Sequence, residues 1–239
     1  MKRFLQFFAI AALIVSANSA RAQNDFGLWT SLEFSAPVTK DIKLGLNAQA
    51  RFDNSVTRMN NAFLSPFIKW NAHKYFSVGA NYRLQSVPYN GSTSNRVLSQ
   101  RFTIDLEFRN ITKLISKDSR LGLTLRLRGT SKIRKEKLTQ NYLRFRLKAD
   151  YNIPKTKLKP YIAAEMFLHF NDQIVYTFTE VRTKHNFNAL RARLGFEYPI
   201  MKQHSVKFFG QYERQLISGK NDFVIGVGYA YDLKIKKKD

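Results

Sequence analysis

Residues 42–52 read IKLGLNAQARF, in which apolar residues alternate with polar residues or glycine. Positions of one parity, the even-numbered ones, are Ile42, Leu44, Leu46, Ala48, Ala50 and Phe52. The odd-numbered positions are Lys43, Gly45, Asn47, Gln49 and Arg51. On an extended strand, alternate side chains point to opposite faces. The same sorting returns along the chain in segments of about ten residues, the length at which a tilted strand crosses a bilayer. The pattern therefore predicts an all-β fold, specifically an antiparallel transmembrane β-barrel.

Eleven segments between residues 26 and 235 show this alternation. Bacterial single-chain barrels normally have an even number of strands, so we expect about 10 to 12 strands here. Either one strand is hidden in a predicted loop, or the first segment does not join the wall. Short turns are expected near Pro37, Asn71, Asn152 and Pro199, with longer outside loops near residues 55, 90, 135 and 180.

The N-terminus has the pattern of an export signal. Lys2 and Arg3 precede an uncharged apolar stretch at residues 4–15, which is too short for a membrane-spanning helix. Small residues then flank Arg21 at the positions that a signal peptidase reads. We predict a signal peptide at residues 1–22 and an outer-membrane barrel at residues 23–239. The chain has no Cys, which excludes disulfides and lipid attachment at a cysteine.

The chain is strongly basic, with a formal net charge of +23. Such a charge alone suggests nucleic acid as a partner. Predicted export argues against nucleic acid and favours outer-membrane lipids and lipopolysaccharide phosphates, because Lys and Arg are attracted to anionic membrane surfaces. Alternatively, the basic residues lie in solvated loops and turns. The barrel-assembly machinery is the partner expected during biogenesis, and a monomer is favoured.

If the apolar faces meet lipid, the opposite faces line a polar lumen. The charged residues predicted to line it are Arg51, Arg83, Arg101, Asp105, Glu107, Arg126, Arg128, Arg144, Arg146, Glu165, Arg191, Arg193 and Glu197. Unpaired buried charge is costly, so opposite charges are expected to pair across neighbouring strands and plug the interior. The alternative is a narrow, porin-like passage that prefers anions because arginine lines it.

Four of these arginines, Arg126, Arg128, Arg144 and Arg146, occupy facing positions on two adjacent predicted strands. Like charges at facing positions repel each other. These arginines therefore need carboxylate or anion partners.

Catalysis is not indicated by the sequence. The four histidines, His73, His169, His185 and His204, are not accompanied by a motif that fixes a nucleophile and a base. Metal-ligand spacing is absent too. We therefore predict no enzyme activity, no cofactor and no metal site. Two alternatives remain open: an outer-membrane enzyme acting on lipids, and a soluble secreted β-barrel binding protein with inverted faces.

Several short stretches resemble a known family. These are FGLW at residues 26–29, QARF at 49–52, GANYR at 79–83, Glu165 and the stretch at 191–198. The chain resembles the uncharacterised single-domain outer-membrane barrels of Bacteroidetes, a family defined by a domain of unknown function. The resemblance covers most of the mature chain. It implies a barrel in the outer membrane of a Gram-negative envelope and transfers no catalytic residue.

Overall fold

The computed structural model describes residues 24–89, 92–116, 118–134, 137–170, 175–177, 180–182, 186–216 and 218–233. Within these ranges the chain forms a closed barrel with eleven wall strands. The wall strands are β1 Asn24–Pro37, β2 Ile42–Asp53, β3 Arg58–His73, β4 Phe76–Tyr89, β5 Ser92–Phe108, β6 Leu121–Arg134, β7 Lys137–Tyr151, β8 Lys159–His169, β11 Asn186–Pro199, β12 His204–Gln215 and β13 Asn221–Asp232. The predicted signal peptide lies outside the described residues and stays a prediction.

Two connections contain further elements. Between β8 and β11, the short strands β9 Val175–Thr177 and β10 Glu180–Arg182 pair with each other and not with the wall. The sequence predicts one of the longer outside loops in this connection, near residue 180. The connection from β5 to β6 contains a single helical turn, α1 Thr112–Ile115. In the described part of the chain, no helix has the length and apolar character needed to cross a membrane.

The barrel closes through a parallel strand pair. Ten wall pairs are antiparallel, whereas β1 and β13 run in parallel with register from Asn24↔Asn221 to Ser35↔Asp232. An odd number of strands that reverse at every connection leaves the first and last strands running the same way. The predicted all-β barrel of about 10 to 12 strands is therefore confirmed with eleven strands, and the parallel pair corrects the expectation that every pair would be antiparallel. The first segment joins the wall on both of its edges, and no hidden wall strand is present in the described residues.

The barrel carries apolar side chains outside and charged side chains inside. Leu32, Ile104 and Ile162 on three separate strands are 60 to 62% exposed on the outer face. In the 42–52 stretch, Leu44 and Leu46 are likewise exposed, while alternate residues face the interior. Large exposed apolar surfaces are unusual for a monomeric soluble protein.

Three predicted outside loops are replaced largely by strand. The segments around residues 90 and 135 lie between strands that continue to Tyr89 and Arg134 and resume at Ser92 and Lys137. The connection around residue 55 spans only residues 54–57. The strand extensions in these stretches are mostly polar and contain turn-forming residues such as Pro88 and Asn95, so the apolar alternation does not indicate them.

Glycine makes room for aromatic rings inside the wall. A Cβ atom at Gly226 would overlap the ring of Phe209, which lies on the neighbouring strand in direct register. Phe209 in turn meets Trp29 of β1 edge-on, with ring centroids 6.3 Å apart. The parallel seam between β1 and β13 is thus backed by packed aromatic side chains that only a glycine at position 226 accommodates.

Candidate functional site

The inward side chains surround a cavity of about 420 Å³. Eleven arginine and lysine side chains line it, against four glutamates. Every charged residue that the sequence predicts for the lumen lies on its wall except Asp105, which forms an ion pair with the lining residue Arg128. The lumen is therefore polar and carries a surplus of positive charge.

Glu165 on β8 is the hub of the lumen. Its carboxylate lies 2.9 Å from Arg191, 3.4 Å from both Arg126 and Arg146, and 3.7 Å from Arg144. The strand register explains two of these contacts, because Arg146 and Arg191 are the direct cross-strand partners of Glu165. The glutamate is only 6% exposed, so a single buried carboxylate holds four guanidinium groups together.

The arginines on β6 and β7 face one another directly. The register pairs Arg126 with Arg146 and Arg128 with Arg144. Arg126 and Arg146 share Glu165, whereas Arg128 binds Asp105 through two nitrogen atoms, each 2.6 Å from a carboxylate oxygen. Such bidentate contacts are among the strongest hydrogen bonds in proteins. The repulsion within both arginine pairs is thus offset by carboxylates of the barrel itself.

Two further ion pairs lie toward the ends of the lumen. Lys69 Nζ lies 2.8 Å from Glu107, and Arg191 lies 2.6 Å from Glu213 in addition to its contact with Glu165. Of the four glutamates that line the cavity, Glu107 and Glu165 are in ion pairs, which leaves far fewer carboxylates than basic side chains. Several arginines consequently have no carboxylate within ion-pair distance in the described part of the chain.

Aromatic rings cover some of these arginines. Cation–π contacts join Arg51 to Trp29 at 3.8 Å, Arg83 to Phe63 at 3.6 Å, Arg144 to Phe167 at 4.4 Å and Arg193 to Phe209 at 4.1 Å. Such contacts stabilise a cation by about 0.5–2 kcal/mol, more when water is excluded. The sequence pattern did not indicate a role for these aromatic residues, although each shares the parity of the polar face. An aromatic residue on the polar parity was the signal that would have identified them.

A second cavity, of about 530 Å³, adjoins the first. It is lined by residues at strand ends, among them Asp53, Arg58 and Asp222, and the lining of both cavities includes Trp29, Arg51 and Arg191. These three side chains therefore lie where the two cavities meet. Trp29 is central to this group, because the guanidinium carbons of Arg51 and Arg191 lie 3.8 and 5.6 Å from its ring.

The histidines do not assemble a catalytic arrangement in the described residues. His169 stacks on Tyr142 with ring centroids 5.4 Å apart and lies 3.2 Å from the Asn188 amide. His204 contacts the Tyr229 hydroxyl instead, and His185 lies outside the described residues. Within the described ranges, no group of three or more His, Asp or Glu side chains is arranged to hold a metal ion.

The sequence comparison identifies a family. Residues 26–224 match the family described as protein of unknown function (DUF2490). This chain belongs to the DUF2490 family. The membership confirms the expected relationship to a family of unknown function, and that description specifies neither a bacterial group nor a cellular location.

Other comparisons add little about the DUF2490 chain. No curated protein matches it. A solved structure from work titled "Unveiling the Mechanism Behind the in-meso Crystallization of Membrane Proteins" is similar over 82% of this chain and 77% of its own, with 14% identity and a TM-score of 0.41. That degree of similarity does not support a functional argument.

Proposed function

We propose that this DUF2490 chain is an integral β-barrel of a bacterial outer membrane, with a narrow lumen that binds and passes small anions. The observation that carries the proposal is the inverted distribution of side chains. Apolar residues cover the outside of the closed wall, and arginine dominates the cavity inside. A bilayer would cover the outer surface, and a surplus of arginine favours anions in a pore.

The dimensions of the wall fit a membrane-spanning role. Its strands contain 11 to 17 residues, and a tilted strand needs about 9–11 residues to cross a bilayer. The longer strands would extend beyond the hydrocarbon region at one end. Aromatic residues such as Phe34, Trp70 and Tyr198 are exposed near strand ends, where interfacial girdles are expected.

The lumen is proposed to be narrow. Barrels of about 8 strands are filled by side chains, whereas barrels of about 16 leave an aqueous channel. With eleven strands, arginine side chains leave a cavity rather than a wide pore. We therefore expect a small conductance that is biased toward anions.

The proposed role is non-enzymatic. Outer-membrane lipids and lipopolysaccharide are the partners proposed for the outer surface and the basic strand ends, and the barrel-assembly machinery is the partner proposed during biogenesis. We propose a monomer that does not bind nucleic acid. An enzyme acting on lipids would need a nucleophile and a base on the outer face near a membrane interface.

Planar-bilayer recording of the refolded protein tests the channel. Under a KCl gradient, we expect small steady currents whose reversal potential indicates anion preference. The same sample should migrate differently on a gel before and after heating.

The Trp29→Ala variant should conduct more than the wild type because Trp29 lies between the two cavities, and the Trp70→Ala variant is its matched control outside the lumen. Cation preference or a wide, nonselective conductance would refute the anion passage.

Tryptophan fluorescence tests the membrane arrangement separately. The chain has only two tryptophans: Trp29 lines the lumen and Trp70 is 51% exposed on the outer face. In brominated-lipid vesicles, the Trp29→Phe variant, which retains Trp70, should be strongly quenched. The Trp70→Phe variant, which retains Trp29, should be quenched much less. Equal quenching of the two variants, or solubility of the protein without detergent, would overturn the proposed membrane location.

A further inference from the structure

A third pair of arginines faces each other inside the barrel. The register of β4 and β5 places Arg83 directly opposite Arg101, and both line the cavity. On the next strand, Lys132 pairs in register with Arg101, so three basic residues occupy one row across neighbouring strands. Like charges at directly opposed positions destabilise a sheet.

This pair differs from the other two facing arginine pairs. Arg126 and Arg146 share Glu165, and Arg128 binds Asp105. Arg83 and Arg101, by contrast, have neither a hydrogen bond nor an ion pair in the described part of the chain. The Nε atom of each is buried without a partner, as it also is in Arg126, Arg144 and Arg146, but each of those three arginines has a carboxylate within ion-pair distance. Buried donors are satisfied in the great majority of cases, so two such guanidinium groups side by side require an explanation.

Stacking does not satisfy these guanidinium groups. Arg83 lies 3.6 Å from the centroid of the Phe63 ring, and Arg101 lies 5.7 Å from that of Tyr142. A ring face attracts the positive charge but accepts no in-plane N–H hydrogen bond of the kind an oxygen accepts. The donors in the plane of each guanidinium therefore remain available to a ligand.

We infer that Arg83 and Arg101 form an oxyanion-binding site within the lumen, selecting phosphate-like or carboxylate-like solutes over halides. The inference rests on the proposed function, because it specifies which anion the lumen takes. Guanidinium groups present a planar fork of donors that matches two oxygens of one anion. A halide is a single atom, so both arms of the fork must converge on one acceptor, whereas an oxyanion offers a separate oxygen to each arm.

The location of the pair selects a small soluble ligand. Both arginines face the interior cavity, whereas a lipid headgroup would approach from the outer surface or the strand ends. The cavity of about 420 Å³ is far larger than the roughly 15 Å³ that one water molecule requires. The cavity therefore has room for an inorganic phosphate or a small carboxylate.

Phosphate binding to the refolded full barrel in dodecyl maltoside, which lacks phosphate, tests the site. Isothermal titration with sodium phosphate is compared among the wild type, Arg83→Gln/Arg101→Gln and Arg83→Lys/Arg101→Lys. We expect binding to the wild type, at least about tenfold weaker binding to the lysine variant because the bidentate contacts are lost, and none to the glutamine variant. The Lys155→Gln/Lys157→Gln variant, altered in the exposed turn before β8, is the matched charge control and should bind as the wild type does.

A folding measurement separates binding from a structural role. Without phosphate, the glutamine variant should unfold at the same or a higher denaturant concentration than the wild type, because a repulsive pair is removed. Phosphate should raise the midpoint of the wild type and leave that of the variant unchanged, since a ligand stabilises only the state that binds it. A variant destabilised without phosphate, or one that binds phosphate as the wild type does, would overturn the site.

Bilayer recordings keep this inference distinct from the proposed channel. If the wild type passes anions and phosphate neither binds nor reduces the chloride current, the site is wrong and the channel stands. If the wild type binds phosphate through Arg83 and Arg101 but passes no current, the site stands and the passage of anions is wrong.

Discussion

Replacing Glu165 with glutamine removes the negative charge that four arginines share. At N–O separations of 2.9 to 3.7 Å and an effective dielectric constant near 20, each pair attracts with about 4–6 kcal/mol. Desolvation of the buried ions and repulsion among the guanidinium groups offset most of that sum. The net cost should therefore approach the ~3–5 kcal/mol typical of removing one partner from a buried ion pair.

Guanidinium chloride unfolding in lipid vesicles, followed by tryptophan fluorescence, measures this cost. With an m value of a few kcal/mol per molar, the midpoint should fall by about 1 M. Glu197→Gln is the matched control, because Glu197 lines the same cavity and has no ion pair in the described residues. Its effect should stay below about 1 kcal/mol. Equal effects of the two substitutions would show that charge pairing around Glu165 does not organise the interior.

Two further predictions test the wall. Gly226→Ala should lower the free energy of unfolding by about 1–3 kcal/mol because its methyl group overlaps the Phe209 ring, whereas Gly210→Ala, where a Cβ atom meets no other atom within 4 Å, should change it little. Denaturant unfolding compares the two variants, and similar losses would refute the proposed packing. Ser31→Cys/Gly228→Cys should form a disulfide on oxidation, because these residues pair in register across the parallel seam of a chain that lacks cysteine. Gel mobility before and after reduction detects it, and failure to cross-link in the folded barrel would contradict the parallel closure.

The alternation of side chains predicted the barrel because it depends only on local geometry. A strand with a period of two sorts its residues between two faces whatever its neighbours are. The eleven alternating segments correspond to the eleven wall strands, and the lumenal arginines share the inward parity throughout. The facing positions of Arg126 and Arg146 were also predicted, because they lie on the polar faces of two consecutive segments, and the register of β6 and β7 pairs them directly.

The pairing of β1 with β13 that closes the barrel could not be predicted from alternation. Whether β1 joins β13 depends on two segments almost 200 residues apart, and no local pattern records whether they pair. The general preference for even strand numbers in bacterial barrels pointed to the wrong solution. The convergence of four arginines on Glu165 could not be predicted from local sequence either, because Arg126 on β6 contacts that carboxylate across the intervening strand β7.

Charge in this lumen is arranged in two different ways. Where arginines face each other next to Glu165 or Asp105, the barrel supplies its own counter-charge and gains a rigid interior in place of an apolar core. At Arg83 and Arg101 the barrel supplies no counter-charge among the described residues, and the buried N–H donors of these arginines cost stability in the empty barrel. Local departures from stable packing are expected where a protein acts on a ligand. Arg51 and Arg193 also lack a carboxylate, but each donates to a glutamine side chain. The partners of the arginines, rather than their number, therefore separate the structural part of the lumen from the part proposed to bind an anion.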